Sequence, residues 1–165
     1  MNYVPANPGK NSRNAVPIRN SFMKNKKIKV VVTGGAGFIG SNLVNALVAD
    51  GFDVHVIDNL SGGKKENVNK NSKLHILDIT DLNSIKPIFK KAEYVFHLAA
   101  LPRVQFSIEH PAESNNANVS GMLNVLIASE EAKVKRLIYS ASSSAYGDQK
   151  IMPLKEGMKE NPKSP

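Results

Sequence analysis

Cysteine is absent from the 165 residues, which excludes disulfide staples and thiolate metal sites alike. No apolar run approaches the ~20 residues that a bilayer-spanning helix needs, so a membrane segment is not expected. The amino-terminal stretch lacks the apolar core of a secretory signal, and no internal repeat is visible. Acidic residues are missing from the first 27 positions. That leader holds Lys10, Arg13, Arg19, Lys24, Lys26 and Lys27, so six of the eight excess positive charges lie there. The rest of the chain is nearly balanced, without the charge footprint of a nucleic-acid binder. The leader is rich in Asn and Pro, has no hydrophobic period and no interleaved aromatics, and reads as a disordered basic tail over 1–27. A cysteine-free chain of this kind fits a reducing cytoplasm.

What is present is a chain long enough for one domain with a real core, with an ordinary 41% hydrophobic and 22% charged residues. Its organising stretch is Lys29-Val-Val-Val-Thr-Gly-Gly-Ala-Gly-Phe-Ile-Gly40. The β-branched run Val30–Val32 is the pattern of a strand buried on both faces of a parallel sheet. Glycines at 34, 35, 37 and 40 satisfy both Gly-x-Gly-x-x-Gly and Gly-x-x-Gly-x-x-Gly. A helix follows, with Ile39, Leu43, Ala46 and Leu47 at helical spacing and Gly51 as its stop. Strand, glycine turn and helix are the setting that a dinucleotide fingerprint requires. Glycines permit the tight turn and close approach to a pyrophosphate, and the helix end offers free N–H groups and its positive dipole pole.

Strands alternate with helices from there on. Asp53–Asp58 reads as a second strand ending on an acid, close to the ~20-residue offset at which a carboxylate takes the adenosine ribose hydroxyls. Such a group repels a 2′-phosphate, which favours NAD over NADP, although Lys64 and Lys65 follow closely. Lys73–Asp78 reads as a third strand, with Asp78 placed to accept from an adenine amino group. A helix is expected from about Leu82, capped by Asp81 or Thr80. Ala92–Ala100 reads as a fourth strand ending in small residues, and its His97 as a buried, satisfied core histidine. A long polar loop over Leu101–Pro111 points to a functional segment. The helix after it is assigned an apolar face of Val119, Met122, Leu123 and Leu126. Arg136–Ser140 is the fifth strand, running into Ala141-Ser-Ser-Ser-Ala-Tyr-Gly147. The implied architecture is α/β: a doubly wound parallel sheet (Rossmann fold) in three αβα layers, ordered 3-2-1-4-5. Its domain spans 28–165.

These motifs together resemble an extended short-chain dehydrogenase/reductase of the NAD-dependent epimerase/dehydratase family. The resemblance rests on Thr33–Gly40, Asp58-Asn-Leu-Ser61, Asp78-Ile79, His97–Ala100, Asn118-Val-Ser-Gly121 and Tyr139–Gly147. Carried over by position, it implies NAD bound by Gly34, Gly37, Phe38, Ile39, Gly40, Asp58 and Asn59, with Asp78 and Ile79 on adenine. Leu98, Ala99, Ala100 and Asn118 fall toward the nicotinamide, and Ser142 is similar to the family's catalytic serine. Arg103, Ser107, Ser143 and Ser144 fall where a nucleotide sugar is held, and no metal is implied.

In such enzymes a Tyr-x-x-x-Lys pair moves the proton, the lysine lowering the tyrosine's pKa. Pro162-Lys-Ser-Pro165 is similar to the segment directly before that tyrosine. The chain therefore reads as a cofactor-binding half without the catalytic pair and without the substrate domain, inactive by itself. Dehydratases and decarboxylases of the family carry a glutamate two residues before the Tyr-Gly pair, where this chain has Ser144. The resemblance thus favours a UDP-glucose or UDP-N-acetylglucosamine 4-epimerase passing through a 4-keto sugar, with a homodimer of the longer protein as an expected assembly. The alternatives are a non-catalytic NAD-binding module, or another nucleotide-sugar enzyme of the family such as a UDP-glucuronate epimerase or a dehydratase.

Overall fold

The computed structural model describes residues 27–163, so the tail read over 1–27 lies outside it except for Lys27. Five strands form one parallel sheet: β1 (Lys29–Thr33), β2 (Asp53–Asp58), β3 (Lys73–Ile76), β4 (Tyr94–His97) and β5 (Arg136–Tyr139). Their order is β3-β2-β1-β4-β5, the order expected from the sequence. Val30, Val31 and Val32 of β1 are at most 1% exposed, because the central strand is covered on both faces. Each buried valine contributes about 1.5–3 kcal/mol.

The two faces are packed by different helices. Helix α1 (Phe38–Ala49) lies over Val30, Val32, Val54 and Val56 through Val44 and Leu47. Helices α2 (Leu82–Phe89) and α5 (Gly121–Glu131) cover Val31, Ile57 and Val95 on the other side through Ile85, Phe89, Val125 and Ala128. Asp81 caps α2, accepting from the Asn83 and Ser84 N–H groups at 3.1 and 3.2 Å.

Three expectations need correction. The buried side of α1 is Gly40, Ser41, Val44 and Leu47, while Ile39 is 66% exposed. The buried side of α5 is Gly121, Val125, Ala128 and Ser129, and the face assigned to it leaves Val119, Leu123 and Leu126 exposed. Both helices are apolar around most of their circumference, so a count of apolar residues does not select a face; the small residues do, by allowing close approach to the sheet. Finally, the polar loop is largely helical: α3 (Val104–Glu109) and α4 (Pro111–Asn115) run into a π turn at Asn116–Ser120 that continues directly into α5.

Candidate functional site

All the motif residues singled out at strand ends gather along the carboxyl edge of the sheet, the edge where ligands of such sheets sit. After β1, Gly34 turns the chain at φ +72° and donates its N–H to Ile57 O at 2.8 Å. A Cβ on Gly34 would lie 2.7 Å from Ala99 N, and one on Gly40 would lie 2.1 Å from Gly34 O. Those two glycines are demanded by the fold itself. Gly37 is not. Its backbone is extended, at φ −76° and ψ 177°, and a Cβ there would meet only Gly34 O at 3.4 Å. Gly37 is also the N-cap of α1 and brings no side chain to the helix end. The first-turn N–H groups of Phe38 and Ile39 therefore have no capping side chain, at the positive pole of a 12-residue helix. Phe38 is 84% exposed. The result is a backbone cradle suited to an anion, with one position where a side chain would intrude on that anion rather than on protein.

Asp58 ties this cradle to β2. Its Oδ2 accepts from the Ala36 N–H at 2.9 Å and its Oδ1 from the Leu60 N–H at 2.8 Å, and the residue is 8% exposed. A carboxylate has about four lone-pair sites, so each oxygen keeps one for a ligand hydroxyl. The following loop folds over the cradle, Lys64 N–H and Asn67 Nδ2 both donating to Ala36 O at 3.2 and 3.0 Å.

At the next strand end, Asp78 accepts from Thr80 N–H at 2.8 Å, Thr80 Oγ1 at 2.7 Å and Asn59 Nδ2 at 2.8 Å. Partial burial works to raise its pKa, but these hydrogen bonds outweigh it and hold the carboxyl below its ordinary range. Leu98 N–H donates to Thr33 O and Ala99 N–H to Thr33 Oγ1, at 3.2 and 3.3 Å, pressing the β4 end onto the glycine turn. Asn118, on the π turn, clamps that segment's continuation: Leu101 N–H donates to its Oδ1 at 2.8 Å and its Nδ2 donates to Leu101 O at 3.1 Å. Thr33 holds this junction through its buried hydroxyl, and a polar side chain closing a buried valine run is its signal in the sequence.

The remaining residues divide. Ser142 N-caps the short turn Ser143–Tyr146, its Oγ accepting from Ser144 N–H at 3.1 Å, and all three serines are exposed. Arg103 is exposed, but Ser107 is buried with its hydroxyl donated to Val104 O at 2.7 Å. Without a ligand, Ser107 thus spends its hydroxyl proton on its own helix, where a serine finds the carbonyl three residues back. The expectation of a chain without a Tyr-x-x-x-Lys pair needs correction in its spacing: Lys150 stands four residues after Tyr146. No helix joins them, however. The turn ends at Tyr146, Gly147 reverses at φ +56°, and Lys150 lies in irregular chain. The spacing therefore lacks the helical turn that would put both side chains on one face.

His97 is 1% exposed, with Nδ1 2.7 Å from Thr33 Oγ1 and its ring stacked on Tyr139. Burial pushes its pKa down to about 4. The unfolded chain takes up this proton below an ordinary value near 6.5, while the folded one resists until about 4. Stability is thus complete above pH 6.5 and lost as pH falls toward 4, by on the order of 3 kcal/mol. Burial lowers His55 and His75 too, in the same direction. Urea unfolding from pH 7 to 4.5 should show this slope, and His97→Gln should make it shallower, leaving the part due to His55 and His75; a flat wild-type profile would contradict the assignment.

A hollow of about 490 Å³ among Lys29, Asp53, His55 and Glu93 opens at the opposite, amino-terminal end of the strands, away from every motif above. Among the described residues no group of His, Asp and Glu is arranged to hold a metal ion, and no helix is long and apolar enough to cross a membrane.

The sequence profile of the NAD dependent epimerase/dehydratase family matches residues 30–165. The chain belongs to that family. The UDP-glucose 4-epimerase of Lactobacillus helveticus is 39% identical over 140 residues, covering 84% of this chain and 42% of that protein. Among solved structures of the family, the UDP-N-acetylglucosamine 4-epimerase of Methanobrevibacter ruminantium, in complex with UDP-N-acetylmuramic acid, is 43% identical with a TM-score of 0.77. It covers 85% of this chain and 46% of its own. The Thermus thermophilus UDP-glucose 4-epimerase in complex with NAD is 37% identical, TM-score 0.77, over 83% of this chain and 45% of that one. The chain spans less than half the length of the family members it matches. Its five-stranded parallel sheet with flanking helices is the architecture these structures share.

Proposed function

We propose that residues 28–165 form the NAD-binding part of a nucleotide-sugar 4-epimerase acting on UDP-hexoses such as UDP-glucose or UDP-N-acetylglucosamine. One observation carries the cofactor reading. Gly37 is a glycine that neither backbone conformation nor protein packing requires, at an uncapped helix end that favours phosphate oxygens. When bound, NAD supplies a reversible hydrogen acceptor for a sugar carbon. The chain's own residues do the rest. Phe38 and Ile39 N–H groups take the pyrophosphate, Asp58 the ribose hydroxyls, Asp78 and Ile79 the adenine. Leu98, Ala99 and Ala100 line the way to the nicotinamide, held from behind by Asn118. Exposed Ser142 can hydrogen-bond a sugar hydroxyl, with exposed Ser143 and Ser144 next to it in the chain and exposed Arg103 at the start of α3 as a further candidate contact.

An epimerase is favoured because the position two residues before Tyr146 holds the hydroxyl of Ser144, which cannot act as the carboxylic acid that expels water in a dehydratase. The reading extends to a homodimer of the family-length protein and to the cytoplasm; the uncovered Val119 on the π turn and Leu123 and Leu126 on α5 support a further contact surface. By itself the 165-residue chain is read as inactive.

Asp58→Ala tests cofactor choice. It should weaken NAD more than NADP, because only NAD offers both ribose hydroxyls to the carboxylate, and it should lower stability by about 1–3 kcal/mol, because the buried Ala36 N–H loses its acceptor. Parallel titrations of wild type and variant with both dinucleotides decide; a wild type that prefers NADP sinks the assignment.

A further inference from the structure

A polar side chain in the middle of apolar α5 has no part in the site as described. Asn124 lies between Leu123 and Val125 and is half-buried. Its Nδ2 donates one hydrogen to Ile79 O and the other to Thr80 O, each at 2.9 Å. One turn earlier, Gly121 brings the helix so close that a Cβ there would lie 2.6 Å from Ile79 Cδ1. Helix and turn are thus docked at two successive positions, with Ile79 only 7% exposed.

The two acceptors matter because of what sits on the other side of the same peptide. The Ile79–Thr80 peptide group accepts from Asn124 through its carbonyl and donates from its N–H to Asp78 Oδ1 at 2.8 Å. Asn124, the peptide and the Asp78 carboxylate therefore form a single chain of hydrogen bonds, in which each bond polarises and orients the next. Asn59 steadies the other carboxylate oxygen. We propose that Asn124 is a positioning residue for adenine recognition, fixing the Ile79–Thr80 peptide and through it the orientation in which Asp78 accepts from the adenine amino group. The inference rests on the reading of Asp78 as the adenine acceptor.

The test compares NAD with nicotinamide hypoxanthine dinucleotide, in which an oxo group replaces that amino group, by calorimetric titration of the 165-residue chain. Wild type should prefer NAD, since Asp78 accepts from the amino group and repels the oxo group. Asn124→Leu keeps the volume and removes both donors; it should cost about tenfold for NAD, the worth of one hydrogen bond to a charged group, and little for the hypoxanthine analogue. The preference then collapses toward parity. Asn124→Ser, smaller and less disturbing to the helix, should move in the same direction and serves if the leucine variant does not fold. Val125→Ala, which removes buried packing from the same helix, should lower the melting temperature and leave the preference intact. Asn124 variants that lose stability but keep the NAD preference overturn the positioning role alone. A wild type that binds both dinucleotides equally overturns the Asp78 reading and this inference with it, and one that binds neither overturns the cofactor reading.

Discussion

Gly37→Val is expected to fold as well as wild type and to lose NAD affinity by at least about a hundredfold, below detection at millimolar cofactor. The backbone at Gly37, φ −76° and ψ 177°, is extended and open to any residue, and the nearest protein atom to a new Cβ is 3.4 Å away. The unfolded chain loses freedom when glycine is replaced, a gain of about 0.4–1 kcal/mol that offsets the weaker helix cap. Two further carbons would then project from the cap at the helix end, into the space above the first-turn N–H groups. Phosphate oxygens could no longer reach the Phe38 and Ile39 N–H groups. Gly40→Ala should behave in the opposite way, losing stability with or without NAD, because its Cβ would collide with Gly34 O. Thermal unfolding and cofactor titration of the two variants side by side separate the roles. A folded Gly37→Val protein with wild-type affinity would show that the cradle is not a phosphate site.

The second large effect concerns turnover. The 165-residue chain is expected to bind NAD and yet epimerise neither UDP-glucose nor UDP-N-acetylglucosamine. Ser142 is exposed, its oxygen already accepts from Ser144 N–H, and an unassisted hydroxyl is a poor base at neutral pH. Tyr146 and Lys150 have the spacing of a proton-transfer pair without the helix that would align them. General acid–base assistance is worth about 10²- to 10⁴-fold, and a sugar that is not held in place loses the positioning advantage as well. The assay should be run on this chain and on a version extended by a family-like Tyr-x-x-x-Lys segment and substrate domain. Turnover by the short chain that disappears in Tyr146→Phe would make Tyr146 the base. An extended chain that is folded and NAD-bound but inactive would favour a non-catalytic NAD-binding module.

What the sequence by itself determined here is local in origin. A β-branched run between glycines, alternating strands and helices, and acids at strand ends are short-range patterns, and they specified the parallel sheet, its 3-2-1-4-5 order and the edge on which Asp58, Asp78 and the glycines gather. The cap at Asp81 was legible for the same reason, since the side chain and the N–H groups that donate to it lie within three residues. Other features depend on partners distant in sequence. Which face of α5 is buried was decided by Gly121 fitting against Ile79, not by its apolar count. Ser107 turned inward because the segment around it coils into α3, where its own backbone offers an acceptor. The four glycines look equivalent in the string, yet only the approach of Ala99 to Gly34, and the open space beside Gly37, tells a folding requirement from a ligand requirement. The partner of Asn118, and any role for Asn124, emerge only once the helix lies across two loops, 17 and 45 residues away in sequence. Their hydrogen bonds are made by packing the layers together, and a linear pattern carries no record of that contact.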